Sequence, residues 1–91
     1  MEFEWDEAKR LSNIRKHGID FAEITSIFDG EIIINEDSRS FYGEPRYIVY
    51  GMVSFTVLIV VYTERGQSIR IISARRASTY EQQIYFEEFI N

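Results

Sequence analysis

Two periodicities divide the chain. Up to Gly30 the apolar residues recur at helical spacing; from Glu31 to Arg75 they alternate as in strands. The opening "EFEW" (2–5) is an exception, pairing Phe3 and Trp5 with glutamates, and predicts a short strand. Asp6 then caps a helix to about Lys16, its carboxylate accepting from free N–H groups of the first turn. Ala8, Leu11 and Ile14 form a narrow apolar stripe on it, and Gly18 supplies a left-handed stop. "DFAE" (20–23) has the spacing of a capping box, with Ile19 and Ile24 set as a hydrophobic staple. A second helix is therefore expected as far as Gly30, burying Phe21, Ile24 and Phe28.

Four strands follow: "EIIINED" (31–37), "RYIVYGMV" (46–53), "FTVLIVVYT" (55–63) and "QSIRIISAR" (67–75). The third is apolar on both faces and reads as central. Tight connections at Val53–Ser54–Phe55 and Glu64–Arg65–Gly66 predict hairpins, hence an antiparallel meander. "DSRSFYGEP" (37–45) reads as a longer loop. "STYE" (78–81) is a second capping box, opening a helix to about Ile90 with Tyr80, Ile84 and Phe89 on its apolar stripe and Tyr85 at the border. The expected order is β-α-α-β-β-β-β-α, an α+β fold with helices packed on a four-stranded antiparallel sheet plus the short N-terminal strand.

Composition narrows the class. Ninety-one residues, 45% of them hydrophobic, suffice for one domain with a real core, here residues 1–91. The lack of cysteine excludes disulfides and thiolate metal sites and fits a reducing compartment. No basic-then-apolar leader stands at the start, and the longest apolar run, Val57–Tyr62, is far short of a membrane span. A soluble, cytoplasmic protein is expected.

Charge changes the picture more. The net charge is −5, but residues 1–37 carry −6, residues 38–76 carry +4 and residues 77–91 carry −3. Lys9, Arg10, Arg15, Lys16 and His17 fall within nine residues that contain no acid. An acidic chain thus keeps two concentrated basic segments, which leaves a polyanion partner open. Eight of the ten basic residues are arginine, the better two-pronged donor to a phosphate. Solvated faces and surface ion pairs are the alternative reading of each arginine.

"FEWDEAK" near the start, "NIRKHGIDF" (13–21), "GEPR" (43–46) and "IISARRA" (71–77), in this order and spacing, resemble the BrnT toxins. The resemblance runs from residue 3 to about residue 85. It implies a RelE-like fold, ribonuclease activity that blocks translation, and neutralisation by a small ribbon-helix-helix antitoxin of the BrnA type. DNA would be contacted only through the antitoxin complex. The alternative kept beside it is a non-catalytic module that clamps a helical, DNA-binding antitoxin.

A ribonuclease working without metal lets the RNA's own 2′-OH attack phosphorus. It needs a proton acceptor, cations for the charged transition state and a proton donor for the leaving oxygen. Metal-ligand spacing is absent from this sequence, with one histidine and scattered carboxylates, and no cofactor is implied. Strand alternation sends Ile69, Ile71 and Ser73 one way and Arg70 and Ile72 the other. Arg70 is then a phosphate ligand or one half of an ion pair with Glu44 or a C-terminal glutamate. Arg75 stands before a helix N-terminus, where backbone N–H groups also favour anions; Arg76 points elsewhere. Glu44 is a general base or a loop-holding partner of Arg46, itself a second clamp. His17, the one side chain titrating near neutrality unperturbed, is an acid or base, or a helix C-cap. Lys9 and Lys16 are RNA contacts, Lys16 equally a partner of the helix dipole at its C-terminus, and Tyr85 stacks on a base or packs in the core. The candidate catalytic set is Glu44, Arg70, Arg75 and His17; the candidate RNA-binding set is Lys9, Lys16, Arg46 and Tyr85.

Overall fold

The structure, a computed structural model, describes residues 1–38 and 43–89. Its elements are β1 (Glu2–Trp5), α1 (Glu7–His17), 3-10 turns at Phe21–Glu23 and Thr25–Asp29, β2 (Ile33–Glu36), β3 (Tyr47–Val53), β4 (Thr56–Arg65), β5 (Ser68–Arg76) and α2 (Thr79–Phe89). Part of the predicted 37–45 loop and the predicted helix end at Ile90 lie outside the described residues.

One five-stranded sheet runs β1-β5-β4-β3-β2. Strands β2 to β5 form the expected antiparallel meander, with β4 at its centre. β1 joins the far edge in parallel, pairing Glu2–Trp5 with Ser68–Ile71. α1 and the 3-10 turns lie on the side of the inner face, where Phe21, Ile27, Val49, Val60, Ile71 and Ala74 form the larger core. Phe3 packs on Phe28 and Trp5 meets Phe21 edge-on, which explains the aromatic alternation of "EFEW". On the inner face Gly51 leaves room for Ile27 and Ile32: an added Cβ would stand 2.9 Å from Ile27 Cδ1 and 3.0 Å from Ile32 Cγ2. α2 covers part of the outer face, over Val57, Ile59 and Ala77.

Three expectations are corrected. The second helix is not an α-helix. Asp20 accepts from Ala22 N at 3.0 Å and closes only a short turn, after which the chain turns again at Ile24. This brings Phe21, Ile24 and Ile27 inward, all of them buried.

The apolar stripe of α1 does not face the core. Leu11 is 44% exposed, and the one buried residue of the helix is Asn13. The reason is what α1 packs against. β1 ends opposite Ile71, so beyond it the backbone of β5 has no strand partner on that side. Asn13 takes the place of a strand: its Nδ2 donates to Ala74 O (2.9 Å) and Ile19 O (2.9 Å), and its Oδ1 accepts from Ala74 N (3.1 Å). A side chain facing bare backbone must be an amide, because buried N–H and C=O groups need partners.

The stripe of α2 is rotated from the expected one. Tyr80 is 71% exposed, while Tyr85, Phe86 and Phe89 pack on the outer face. Its capping box forms as expected, Ser78 N donating to Glu81 Oε1 (2.8 Å) and Glu81 N to Ser78 Oγ (3.2 Å).

Candidate functional site

A β-bulge decides which side chains share a face. Tyr62 pairs with Ile71 and Val61 with Ser73, so Ile72 is an extra residue in β5. From there the alternation is reversed relative to the simple pattern. Ala74 joins Ile69 and Ile71 in the inner core. Ser73, expected among them, instead shares the outer face with Arg70 and Arg75. The bulge therefore unites two arginines that strict alternation would have sent to opposite faces.

Cross-strand register arranges the outer face in ranks. Arg70 lies opposite Thr63, Ser73 opposite Val61, and Arg75 opposite Ile59. Ile48 and Tyr50 of β3 continue the last two ranks. Arg46, just before β3, falls on the same face by alternation from Ile48. Where α2 stops covering this face, an open depression of about 340 Å³ has a floor of Ile48, Ile59 and Val61, with Tyr50, Ser73, Arg75 and Glu81 around it.

Beside it, across Ser73, lies a second depression of about 240 Å³. Lys9, Lys16 and His17 of α1 line it together with Ile72 and Ser73. Ser73 belongs to both. The depression lined by Lys9, Lys16 and His17 and the one lined by Arg75 thus meet at Ser73, with α1 held to β5 by the Asn13 bridge.

The charged groups are held by specific partners. Arg75 grips Glu81 with both prongs, Nη1 to Oε1 and Nη2 to Oε2, each 2.8 Å. Those bonds, together with the Ser78 N–H, outweigh burial and hold the Glu81 carboxyl at about 2, so it is charged at any physiological pH. Arg70 pairs with Glu4 on β1 at 2.7 Å, its register neighbour, rather than with Glu44 or the C-terminal glutamates. Arg76 lies on the inner side and donates to His17 O at 3.1 Å, closing the C-terminus of α1. It faces away from Arg75, as expected of a strand neighbour.

Two candidates stand apart. Glu44 lies near Arg65 (3.4 Å) and lines neither depression. Tyr85 is 5% exposed, and its hydroxyl donates to Glu31 O at 2.8 Å. Its ring packs against Phe86 and Phe89, so it has no face to offer a base. The aromatic residue in the depression is Tyr50, which sequence reasoning missed. Its signal was the pairing of Tyr50 with Ile59, readable once the hairpin register is known. Glu81 was read only as a cap, and its grip on Arg75 has no local sequence signature. Among the described residues no three His, Asp or Glu side chains are grouped as metal ligands, and no helix is long and apolar enough to cross a membrane.

Comparison with known proteins adds to this geometry. Residues 5–81 match the family model described as the ribonuclease toxin BrnT of type II toxin–antitoxin systems. Among solved structures, the chain is similar to the crystal structure of the Brucella abortus ribonuclease toxin BrnT. The two are 28% identical, with a TM-score of 0.67, covering 87% of this chain and 99% of that one. No curated protein matches the chain.

Proposed function

Since the chain belongs to the BrnT family of ribonuclease toxins of type II toxin–antitoxin systems, we propose that it cleaves mRNA on the outer sheet face without a metal ion. The observation that carries this reading is the bulge at Ile72, which sets Arg70, Ser73 and Arg75 on one open face beside Lys9, Lys16 and His17. A single strand fits such a surface. Its base stacks on Tyr50 over the floor of Ile48 and Val61, and its phosphate meets Arg75.

In the reaction the 2′-oxygen attacks the adjacent phosphorus. A P–O bond forms, the bond to the 5′-oxygen breaks, and a 2′,3′-cyclic phosphate and a 5′-hydroxyl result. Arg75, and Arg70 once exchanged from Glu4, stabilise the charge that builds on the phosphoryl oxygens. In this reading His17 relays the proton from the 2′-hydroxyl to the leaving 5′-oxygen. Glu44, away from the two depressions, is assigned to the loop rather than to proton transfer.

The partner in this proposal is a BrnA-like ribbon-helix-helix antitoxin that covers the toxin in the cytoplasm, with DNA bound through the antitoxin. The test is incubation of purified protein with single-stranded RNA in the presence of chelator and, separately, with translating ribosomes in magnesium buffer. Fragments ending in 2′,3′-cyclic phosphate are expected from one or both. Intact RNA in both, with no growth arrest on expression, would favour the non-catalytic module.

A further inference from the structure

Glu81 does more in this structure than close a helix. Its carboxylate presents two oxygens, each 2.8 Å from a separate nitrogen of Arg75. A phosphate offers the same guanidinium the same pair of acceptors, so carboxylate and phosphate compete for one fork. The pair stands at the rim of the depression that Tyr50 and Ser73 also line, so this fork is the one an RNA backbone would meet. Oε1 also accepts from Ser78 N, so when Arg75 is withdrawn the carboxylate keeps a partner and the helix keeps its cap.

We propose that Glu81 is an internal phosphate mimic, occupying Arg75 until RNA displaces it and so setting the affinity of the toxin for RNA. The proposal rests on the reading of Arg75 as a phosphate clamp. Glu81 touches no reacting atom and acts through Arg75, as a positioning residue. Displacement has a measurable signature. A phosphate bound by Arg75 releases a counterion, but the freed Glu81 carboxylate gathers a cation in return, which hides that contact from the salt dependence.

The experiment uses Glu81→Gln, which retains the acceptor for Ser78 N and the capping box while removing the charge. Binding of a short single-stranded 2′-O-methyl RNA, which cannot be cleaved through its own 2′-oxygen, is measured across a range of salt concentrations. Glu81→Gln is expected to bind roughly tenfold tighter at low salt. Its plot of log K against log salt should be steeper by about 0.7, the increment for one more single-strand phosphate contact. Glu81→Asp, too short to hold both Arg75 and the cap, should shift in the same direction, and circular dichroism reports whether α2 persists in each.

In an Arg75→Ala background Glu81→Gln should gain much less and leave the slope unchanged, because only the general repulsion of one carboxylate is then removed. An equal gain in that background would overturn the proposal, as would an unchanged affinity and slope in Glu81→Gln. If Arg75→Ala binds like the unaltered protein, the clamp reading and this inference fall together. If Arg75→Ala binds weakly and Glu81→Gln matches the unaltered protein, the inference alone is wrong.

Discussion

Replacing Asn13 with alanine is expected to lower the unfolding free energy by about 3 kcal/mol and the melting temperature by more than about 10 °C. Asn13 is 5% exposed and makes three hydrogen bonds. Its truncation leaves Ala74 N–H, Ala74 C=O and Ile19 C=O without that partner, and Ala74 is fully buried. An unsatisfied buried group costs about 1–3 kcal/mol, and partial access of water keeps three of them from adding fully. Asn13→Asp should also destabilise: the aspartate can still accept from Ala74 N, but it turns a charged acceptor toward two carbonyls. Leu11→Ala provides the contrast, with an expected loss below about 1 kcal/mol because nearly half of Leu11 is already in water. Thermal melts of the three variants check the ranking. A reversed order, with Leu11→Ala the worse, would mean that α1 packs by its apolar stripe after all. The bond to Ala74 also anchors α1, and with it the depression that Lys9, Lys16 and His17 line together with Ser73.

Replacing Arg75 with alanine should reduce single-turnover RNA cleavage by about 10²–10³-fold, the usual effect of removing one donor from a developing oxyanion. The fold should persist. Arg75 is an exposed residue at the end of β5, and the Glu81 carboxylate that it leaves still accepts from Ser78 N. An exposed pair contributes about 1 kcal/mol or less, so the melt should shift only slightly. Arg75→Lys should recover part of the lost activity, restoring charge without the two-pronged geometry. Cleavage by Arg75→Ala at the unaltered rate would remove Arg75 from the mechanism.

Much of the layout was legible where a local rule has one outcome. Asp6 and Gly18 bound α1, Ser78 and Glu81 cap α2, and the run Val57–Tyr62 lies in the central strand. The features that build the site depend on partners distant in sequence. Ile72 bulges because β4 and β5 must pair on both sides of it, and no residue within "IRIISAR" announces that. The alternation of that stretch was sound, but its phase changed in the middle, which moved Ser73 and brought Arg75 onto the face of Arg70. Asn13 is a polar residue on a helix and looks solvated until the bare edge of β5 is placed against it. "DFAE" had the spacing of a helix start, but Ile24 ends the turn after Phe21–Glu23 and lets three apolar side chains reach one core. Tyr80 and Tyr85 fit neighbouring helical stripes almost equally well, and packing on Val57 and Ile59 selects Tyr85.

RNA is expected to lie on the outer sheet face, between Tyr50 and Arg75. Photocrosslinking tests it most directly. A short RNA carrying 4-thiouridine and 2′-O-methyl groups is bound, irradiated and mapped by peptide mass spectrometry. Crosslinks on β3 around Tyr50 and on β5 from Ser73 to Arg75 are predicted, weakened by Arg75→Ala. Crosslinks confined to the β3–β4 hairpin tip at Phe55 or to the turns around Glu23, with β3 and β5 untouched, would contradict it.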